Sequence, residues 1–258
     1  MSLVKICLKD KADLKGIQAR LEYPVHVLGA MERPKFETGE IELLSVKHSK
    51  VGKTTLERYP NLKHVVVRGH GMDHVDYNAC EKLGIGVHSL CQYSKSCAMW
   101  CVDKCVMGPV MIYGGGNIGS VVFNCVLASG FEAAVSTRQK FLDPIGYKTV
   151  VSCIPYDTRR HALNRDFFNI RIFAQLEGAD FISISRPQTH SNRDLLDAIN
   201  NGYIRRAHID TLGVDLKDEL IGTGKVECYD HTAWSYIKMP DGSTQWMLDQ
   251  KIRELGYP

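Results

Sequence analysis

The sequence predicts a doubly wound α/β protein, and three observations carry that prediction. Short β-like runs alternate with helix-like segments along the whole chain, the pattern of parallel sheets covered by helices. One apolar strand, Pro109 to Tyr113, runs straight into a glycine turn, Gly114-Gly115-Gly116-Asn117-Ile118-Gly119, which in turn opens a helix. The pattern changes at Tyr93, which sets a first domain of residues 1–92, rejoined by the tail 238–258, apart from a second domain of residues 93–237.

In the first domain, Val4 to Leu8, Val25 to Leu28, Glu42 to Val46 and Leu62 to Arg68 read as strands. A turn at Gly69-His70-Gly71, a helix from Asp76 to Lys82 and a strand from Ile85 to His88 follow. In the second, Ser94 to Val106 is helical and Pro109 to Tyr113 is a buried strand. Further strands are Ala133 to Ser136, Thr149 to Ile154, Asp180 to Ser185, Ala207 to Asp210 and Lys225 to Tyr229. Helices lie near Ser120–Ser129, Asn164–Phe168 and Ser191–Asn200, the last with Ser191 as its cap and Asn201-Gly202 as its stop. Ser243 to Leu255 forms a final helix that can return to the first domain.

Bulk properties exclude several classes of function. The chain of 258 residues is 44% hydrophobic and 24% charged, ordinary values for a globular protein with a proper core. No apolar run approaches the roughly 18–20 residues that span a bilayer. The opening MSLVKICLKDK meets charge too early for a secretion signal. A net charge of +3, with no basic stripe, argues against nucleic acid as a partner. The nine cysteines sit inside apolar stretches, which suits reduced thiols in the cytoplasm. Cys97, Cys101 and Cys105 form one stripe on a helix and are read as small packing hydrophobes, with no metal site, since no CxxC pair occurs.

The glycine turn carries the chemistry. Gly114 permits the tight turn, Gly116 lets backbone approach a pyrophosphate, and Gly119 lets the helix pack on the strand, as in a Rossmann dinucleotide fold. The helix start, with Asn117 and Ile118, offers N–H groups and a positive dipole end to the phosphates. The next strand ends about 20 residues on, where an NAD site places a carboxylate for the ribose. Here stand Ser136, Thr137 and Arg138, followed by Lys140. A guanidinium there attracts a 2′-phosphate, so NADP(H) is favoured over NAD(H), with a solvated loop arginine as the plainer alternative.

From about Tyr59 to Tyr236 the chain resembles the D-isomer-specific 2-hydroxyacid dehydrogenase family. Tyr59-Pro60-Asn61-Leu62-Lys63 and Arg68-Gly69-His70-Gly71-Met72-Asp73-His74-Val75-Asp76 are similar to its substrate-domain signature, and Gly84-Ile85-Gly86-Val87 to the strand before the crossing. Phe181 to Arg186, Ala207-His208-Ile209-Asp210 and His231-Thr232-Ala233-Trp234 follow in the family's order. The resemblance implies a flavodoxin-like α/β substrate domain beside the Rossmann-type domain. It also implies hydride exchange between a nicotinamide cofactor and a small D-2-hydroxy acid or 2-keto acid such as glyoxylate or hydroxypyruvate. Arg186 would bind the substrate carboxylate and keto oxygen, His231 would move the proton, and Asp215, where the family has glutamate, would orient His231. Asp210 would hold the nicotinamide amide, and Cys153, Ile154 and Pro155 would line the cofactor. Gly69, His70 and Gly71 would help fix the substrate carboxylate.

Four departures accompany the resemblance. The stretch from Tyr93 to Gly114, where the family carries its dimer arm, is short, which bears on the homodimer the family implies. The spacer from Arg138 to Thr149 is too short for a full strand–helix unit. Pro187 replaces a glycine and restricts Arg186 to extended backbone, and Asp230 replaces a proline. A catalytically weak or inactive dinucleotide-sensing module is the alternative reading. A methyltransferase is disfavoured because Thr137 and Arg138 stand where its adenosine site needs an acid.

Overall fold

A computed structural model describes residues 5–10, 25–29, 32–69, 71–91, 93–156, 162–237 and 243–257. They fall into two compact units, Met1–Gln92 with Met239–Pro258, and Tyr93–Lys238.

The first unit is built on five parallel strands: β1 (Ile6–Leu8), β2 (His26–Val27), β3 (Leu43–Val46), β4 (His64–Val67) and β5 (Gly86–Ser89). Their order, β2-β1-β3-β4-β5, is the flavodoxin-like one. Alternate side chains point to opposite faces, and both faces are covered. Leu44, Val46, Val65 and Val67 meet Leu56 of α1 (Lys53–Arg58) and Cys80 of α2 (Tyr77–Lys82). Ile6, Leu8, Leu43 and Val66 meet Leu248 and Ile252 of the last helix, Ser243–Glu254, so the tail returns to this sheet.

The carboxyl ends of β1, β3 and β4 are tied by charge. Asp10, in the left-handed region at φ 60, accepts N–H bonds from Lys47 at 2.7 Å, His48 at 2.9 Å and Ser49 at 3.0 Å. The Ser49 hydroxyl adds a bond at 2.6 Å. Burial alone would raise this carboxyl's pKa; the four bonds outweigh it and hold the group below the usual carboxylate range. Arg68 is fully buried and spends its guanidinium on the Ser45 hydroxyl (2.8 Å) and the carbonyls of Lys9 (2.5 Å) and Asp10 (3.2 Å).

The second unit is a six-stranded parallel sheet of β6 (Val110–Tyr113), β7 (Ala133–Ser136), β8 (Thr149–Ser152), β9 (Ala179–Ser183), β10 (Ile204–Ile209) and β11 (Val226–Cys228). The order β11-β10-β9-β8-β6-β7 reverses direction between β6 and β8, the switch point where α/β folds place ligands. Val110 and Ile112 face α3 (Ser94–Lys104) and α4 (Gly119–Ala128), whose Ala98, Cys101, Val122 and Val126 fill that side. Met111 and Tyr113 face the layer of α5 (Ile170–Phe173), α6 (Asn192–Asn200) and α7 (Lys217–Gly222), which contributes Phe173, Leu195, Ile199 and Leu220. The architecture is thus a Rossmann-type doubly wound sheet with a second, smaller flavodoxin-like unit. β7 leads to β8 with no helix or strand between them, as the short spacer implies.

Some elements differ from the sequence reading. No α-helix occupies Asn164–Phe168: a 3-10 turn ends at Asn164, Asp166 turns left-handed at φ 47, and Phe168 pairs with His190 in an isolated bridge. The helix starts later, at Ile170, because the Asn169 side chain caps it by accepting the Arg171 N–H at 3.0 Å. Ser191 caps α6 as expected, accepting from Asp194 N–H at 3.2 Å. Cys97, Cys101 and Cys105 are buried and carry free thiols. Burial pushes the Cys97 and Cys105 thiols up to about 12, which suits packing groups. No described helix is long and apolar enough to cross a membrane.

His190 is 3% exposed, and neither ring nitrogen has a partner among the described residues. Burial lowers its pKa from 6.5 to about 4. Below pH 6.5 the unfolded chain binds a proton that the folded one refuses until about pH 4. Stability is therefore full above 6.5 and falls as pH drops towards 4, by at most about 1.4 kcal/mol per pH unit from this group. His190→Val, which suits the extended backbone there (φ −133, ψ 147), should flatten that fall. Urea unfolding at pH 7.5 and pH 5 measures it; an unchanged difference between the two pH values would refute the account.

Candidate functional site

Strand register sets the site's frame. Ser136, Tyr113, Ser152, Ser183, Ile209 and Cys228 lie in one paired row across β7, β6, β8, β9, β10 and β11. Because all six strands are parallel, the residues that follow this row emerge on one edge of the sheet. Thr137, Gly114, Cys153, Asp210 and the loops carrying Arg186 and His231 all do so.

Gly114, at φ 102, turns the chain out of β6; a β-carbon there would meet the Cys153 carbonyl oxygen at 2.7 Å. At Gly119 a β-carbon would stand 1.7 Å from the Gly114 carbonyl oxygen, so only hydrogen fits. At Gly116, by contrast, no heavy atom comes within 4 Å, and Gly115 to Asn117 are exposed. Gly114 donates to the Ser136 carbonyl at 2.9 Å and Ser120 to that of Gly116 at 3.0 Å. Among the described residues no backbone carbonyl takes the N–H groups of Gly116, Ile118 and Gly119. No side chain caps α4. An open glycine in front of an uncapped helix start is a cradle for an anionic group.

Around the cradle, Thr137 closes a small turn with Lys140, N–H to carbonyl at 2.9 Å and N–H to hydroxyl at 3.1 Å. Arg138 and Lys140 are exposed. The Arg138 guanidinium lies 3.5 Å from the Asn164 amide oxygen, and Asn164 donates to the Pro155 carbonyl at 2.6 Å. Ser136 instead points into the fold: it is 2% exposed and its hydroxyl accepts the Leu142 N–H at 3.0 Å. Cys153 and Ile154 are half-buried and Pro155 is exposed.

Arg186 follows β9 with φ −66 and ψ 152, the extended geometry that Pro187 demands. Its carbonyl is held by Thr189, through the backbone N–H at 3.0 Å and the hydroxyl at 2.8 Å. Its charge is felt at Asp210, which follows β10 and is 2% exposed. Asp210 Oδ1 accepts the N–H groups of Thr232 and Ala233, each at 2.8 Å, and Oδ2 lies 3.4 Å from His231 Nδ1. The Asp210 carbonyl accepts the His231 N–H at 2.5 Å. Burial raises the Asp210 carboxyl's pKa, against the opposing pull of the Ala233 N–H, His231, the Thr232 N–H and Arg186.

Asp230 and His231 are both left-handed, at φ 48 and φ 62, a conformation that Asp and His tolerate and that proline forbids. Asp230 also pairs with Lys217 at 3.3 Å. Thr211 Oγ1 sits 2.8 Å from His231 Nδ1. Sequence reasoning missed Thr211; its place directly after Asp210 at a strand end was the available signal. Asp215 is exposed in the loop before α7, and its carbonyl accepts from the Asn192 side chain at 2.5 Å. Among the described residues no hydrogen bond or ion pair joins Asp215 to His231. The second unit therefore gathers Arg186, Asp210 and His231, with Asp215 outside the group.

In the first unit Gly69 follows β4, and its carbonyl accepts the Ser89 hydroxyl at 2.6 Å. Gly71 is half-buried, and His70 lies outside the described residues. No group of three or more His, Cys, Asp or Glu among the described residues is arranged to hold a metal ion.

Residues 9–98 match the family described as D-isomer specific 2-hydroxyacid dehydrogenase, catalytic domain. Solved structures extend the likeness across the fold. A D-lactate dehydrogenase from Aquifex aeolicus, complexed with NAD and lactic acid, is 17% identical with a TM-score of 0.70, covering 97% of this chain and 95% of that one. A D-isomer specific 2-hydroxyacid dehydrogenase from Xanthobacter autotrophicus Py2, in complex with NADPH and MES, is 19% identical with a TM-score of 0.75, covering 98% and 96%. A 3-phosphoglycerate dehydrogenase from Entamoeba histolytica, with NAD+ bound, is 12% identical with a TM-score of 0.74, covering 98% and 95%. No curated protein matches the chain.

The glycine geometry makes opposite forecasts for two substitutions. Gly119→Ala forces a methyl onto the Gly114 carbonyl and should cost roughly 1–3 kcal/mol or more of stability. Gly116→Ala meets open space and should unfold close to wild type. Thermal denaturation of both variants decides; equal melting points would show the turn is not built this way.

Proposed function

We propose that the chain, whose residues 9–98 match the catalytic-domain model of the D-isomer specific 2-hydroxyacid dehydrogenases, is an NADP(H)-dependent reductase of small 2-keto acids, or a dehydrogenase of the D-2-hydroxy acids they form. The observation that carries this reading is the shared sheet edge. A cradle for a diphosphate at Gly114 to Gly119 stands beside an arginine, a carboxylate and an imidazole, all set by one parallel register.

Gly116, Asn117, Ile118 and the α4 start would hold the pyrophosphate, through the open glycine and the helix dipole. Ile154 and Pro155, which follow β8, would border the dinucleotide. At the ribose end Thr137 and Arg138 replace the carboxylate that an NAD site uses, and Asn164 steadies the guanidinium. The bound nicotinamide supplies or takes the hydride. Arg186 offers its planar fork of donors to the substrate's carboxylate and keto oxygen. His231 carries the proton that reaches the carbonyl oxygen on reduction, and receives the hydroxyl proton in the reverse direction. Glyoxylate and hydroxypyruvate are the substrates of choice for a first test.

Two measurements test the proposal. In a binding titration, Arg138→Ala should weaken NADPH by roughly ten- to a hundredfold, the worth of a hydrogen bond to a charged group, while NADH binding is little changed. Equal losses for both cofactors would remove the NADP preference. In an assay with a 2-keto acid panel, Arg186→Gln or His231→Gln should lower turnover by roughly 10²-fold or more, with NADPH binding retained. Tight NADPH binding by the wild type with no turnover of any 2-keto acid would overturn the reductase reading in favour of a dinucleotide-sensing module.

A further inference from the structure

We propose that Asp210, with Thr211, is the positioning pair for the His231 imidazole, holding Nδ1 so that Nε2 is the nitrogen left to exchange a proton. This rests on the role of His231 proposed above, and it gives Asp210 the task that the resemblance assigns to Asp215.

Asp210 meets the His231 loop at four points. Its carbonyl takes the His231 N–H at 2.5 Å, and its Oδ1 takes the Thr232 and Ala233 N–H groups at 2.8 Å each. The remaining oxygen, Oδ2, is 3.4 Å from Nδ1. Oδ1 is occupied by those two donors, and the group is 2% exposed, so Oδ2 is the oxygen that stands towards the imidazole. Thr211, the next residue, puts its hydroxyl 2.8 Å from the same nitrogen. The carboxylate oxygen can only accept, so it favours a proton on Nδ1, which the Thr211 hydroxyl can also accept, and so a lone pair, or a second proton, on Nε2. Asp210 is a strand-end residue whose position follows from the β9–β10–β11 register. Asp215 is exposed and makes no bond to the ring among the described residues.

The experiment is ¹⁵N NMR of histidine-labelled full-length protein, with the His231 signals identified by their loss in His231→Gln. Near pH 8.5, well above the ordinary imidazole range, the wild-type ring should be protonated on Nδ1. Asp210→Asn keeps an acceptor for the Thr232 and Ala233 N–H groups but turns an amide donor towards Nδ1. The ring should therefore change to the Nε2-protonated form, as expected when an orienting carboxylate becomes an amide. Asp215→Asn should leave the ring signals as in wild type. A ring that stays Nδ1-protonated in a folded Asp210→Asn variant overturns the assignment. So does a tautomer change in Asp215→Asn, which decides the matter even where Asp210→Asn fails to fold. On turnover, Asp210→Asn should lose on the order of 10²-fold in kcat with KM little changed. The NMR result needs no turnover, so failure of the reductase reading and failure of this assignment are separate outcomes.

Discussion

Everything in the second unit is arranged around one close approach, that of the Gly119 α-carbon to the Gly114 carbonyl. A methyl at 119 would stand 1.7 Å from that oxygen, so α4 can begin where it does only because residue 119 lacks a side chain. The approach seats the helix start over the gap between β6 and β8, and from there Val122 and Val126 reach the sheet face under α3. It also brings Gly114 against the Cys153 backbone, closing the switch point from the other side. The open space at Gly116 is the complement of this crowding. Where the helix must touch the strand there is no room at all, and where a ligand must touch the backbone there is nothing else.

Parallel register then does the gathering. Residues far apart in sequence share an edge because each strand ends at the same paired row, from Ser136 across to Cys228. A residue's distance past that row decides how firmly it is held. Asp210 comes directly after Ile209 and is fixed by the sheet. Arg186 is a little further out, and its orientation comes from Pro187 and the two Thr189 bonds to its carbonyl. His231 is held back onto Asp210 by hydrogen bonds. Asp215 lies far enough along its loop that the sheet no longer dictates its side chain.

The same distinction explains what could be read from sequence. Strands such as Val110–Tyr113 and Thr149–Ser152 were legible because a sheet buried on both faces demands short unbroken apolar runs. The glycine turn was legible because its spacing is a steric requirement, and Ser191 because capping chemistry is local. The helix expected at Asn164–Phe168 was misplaced because its aromatic residues serve the core from extended backbone, a tertiary demand with no periodic trace. α1 and α7 are too short for a periodic signal. The Asp210–His231 pairing was illegible for another reason: it depends on two consecutive left-handed residues, Asp230 and His231, which no propensity announces. The buried Arg68 and its link to the Asp10 segment likewise became visible only once β1, β3 and β4 were side by side.

The conformation at residues 230–231 also accounts for why a carboxylate is needed at 210 and why burial there is tolerable. A left-handed pair of non-glycine residues costs of order 1–3 kcal/mol per residue unless the surroundings over-determine it. Asp210 supplies that determination through its carbonyl and Oδ1, which together hold three successive N–H groups. In return, those donors, with His231 and Arg186 nearby, offset the cost of taking the carboxylate out of water. Loop conformation and charge placement are therefore one problem with one solution. An apolar residue at 210 would free the loop to leave the left-handed region, and the imidazole would lose both its support and its direction.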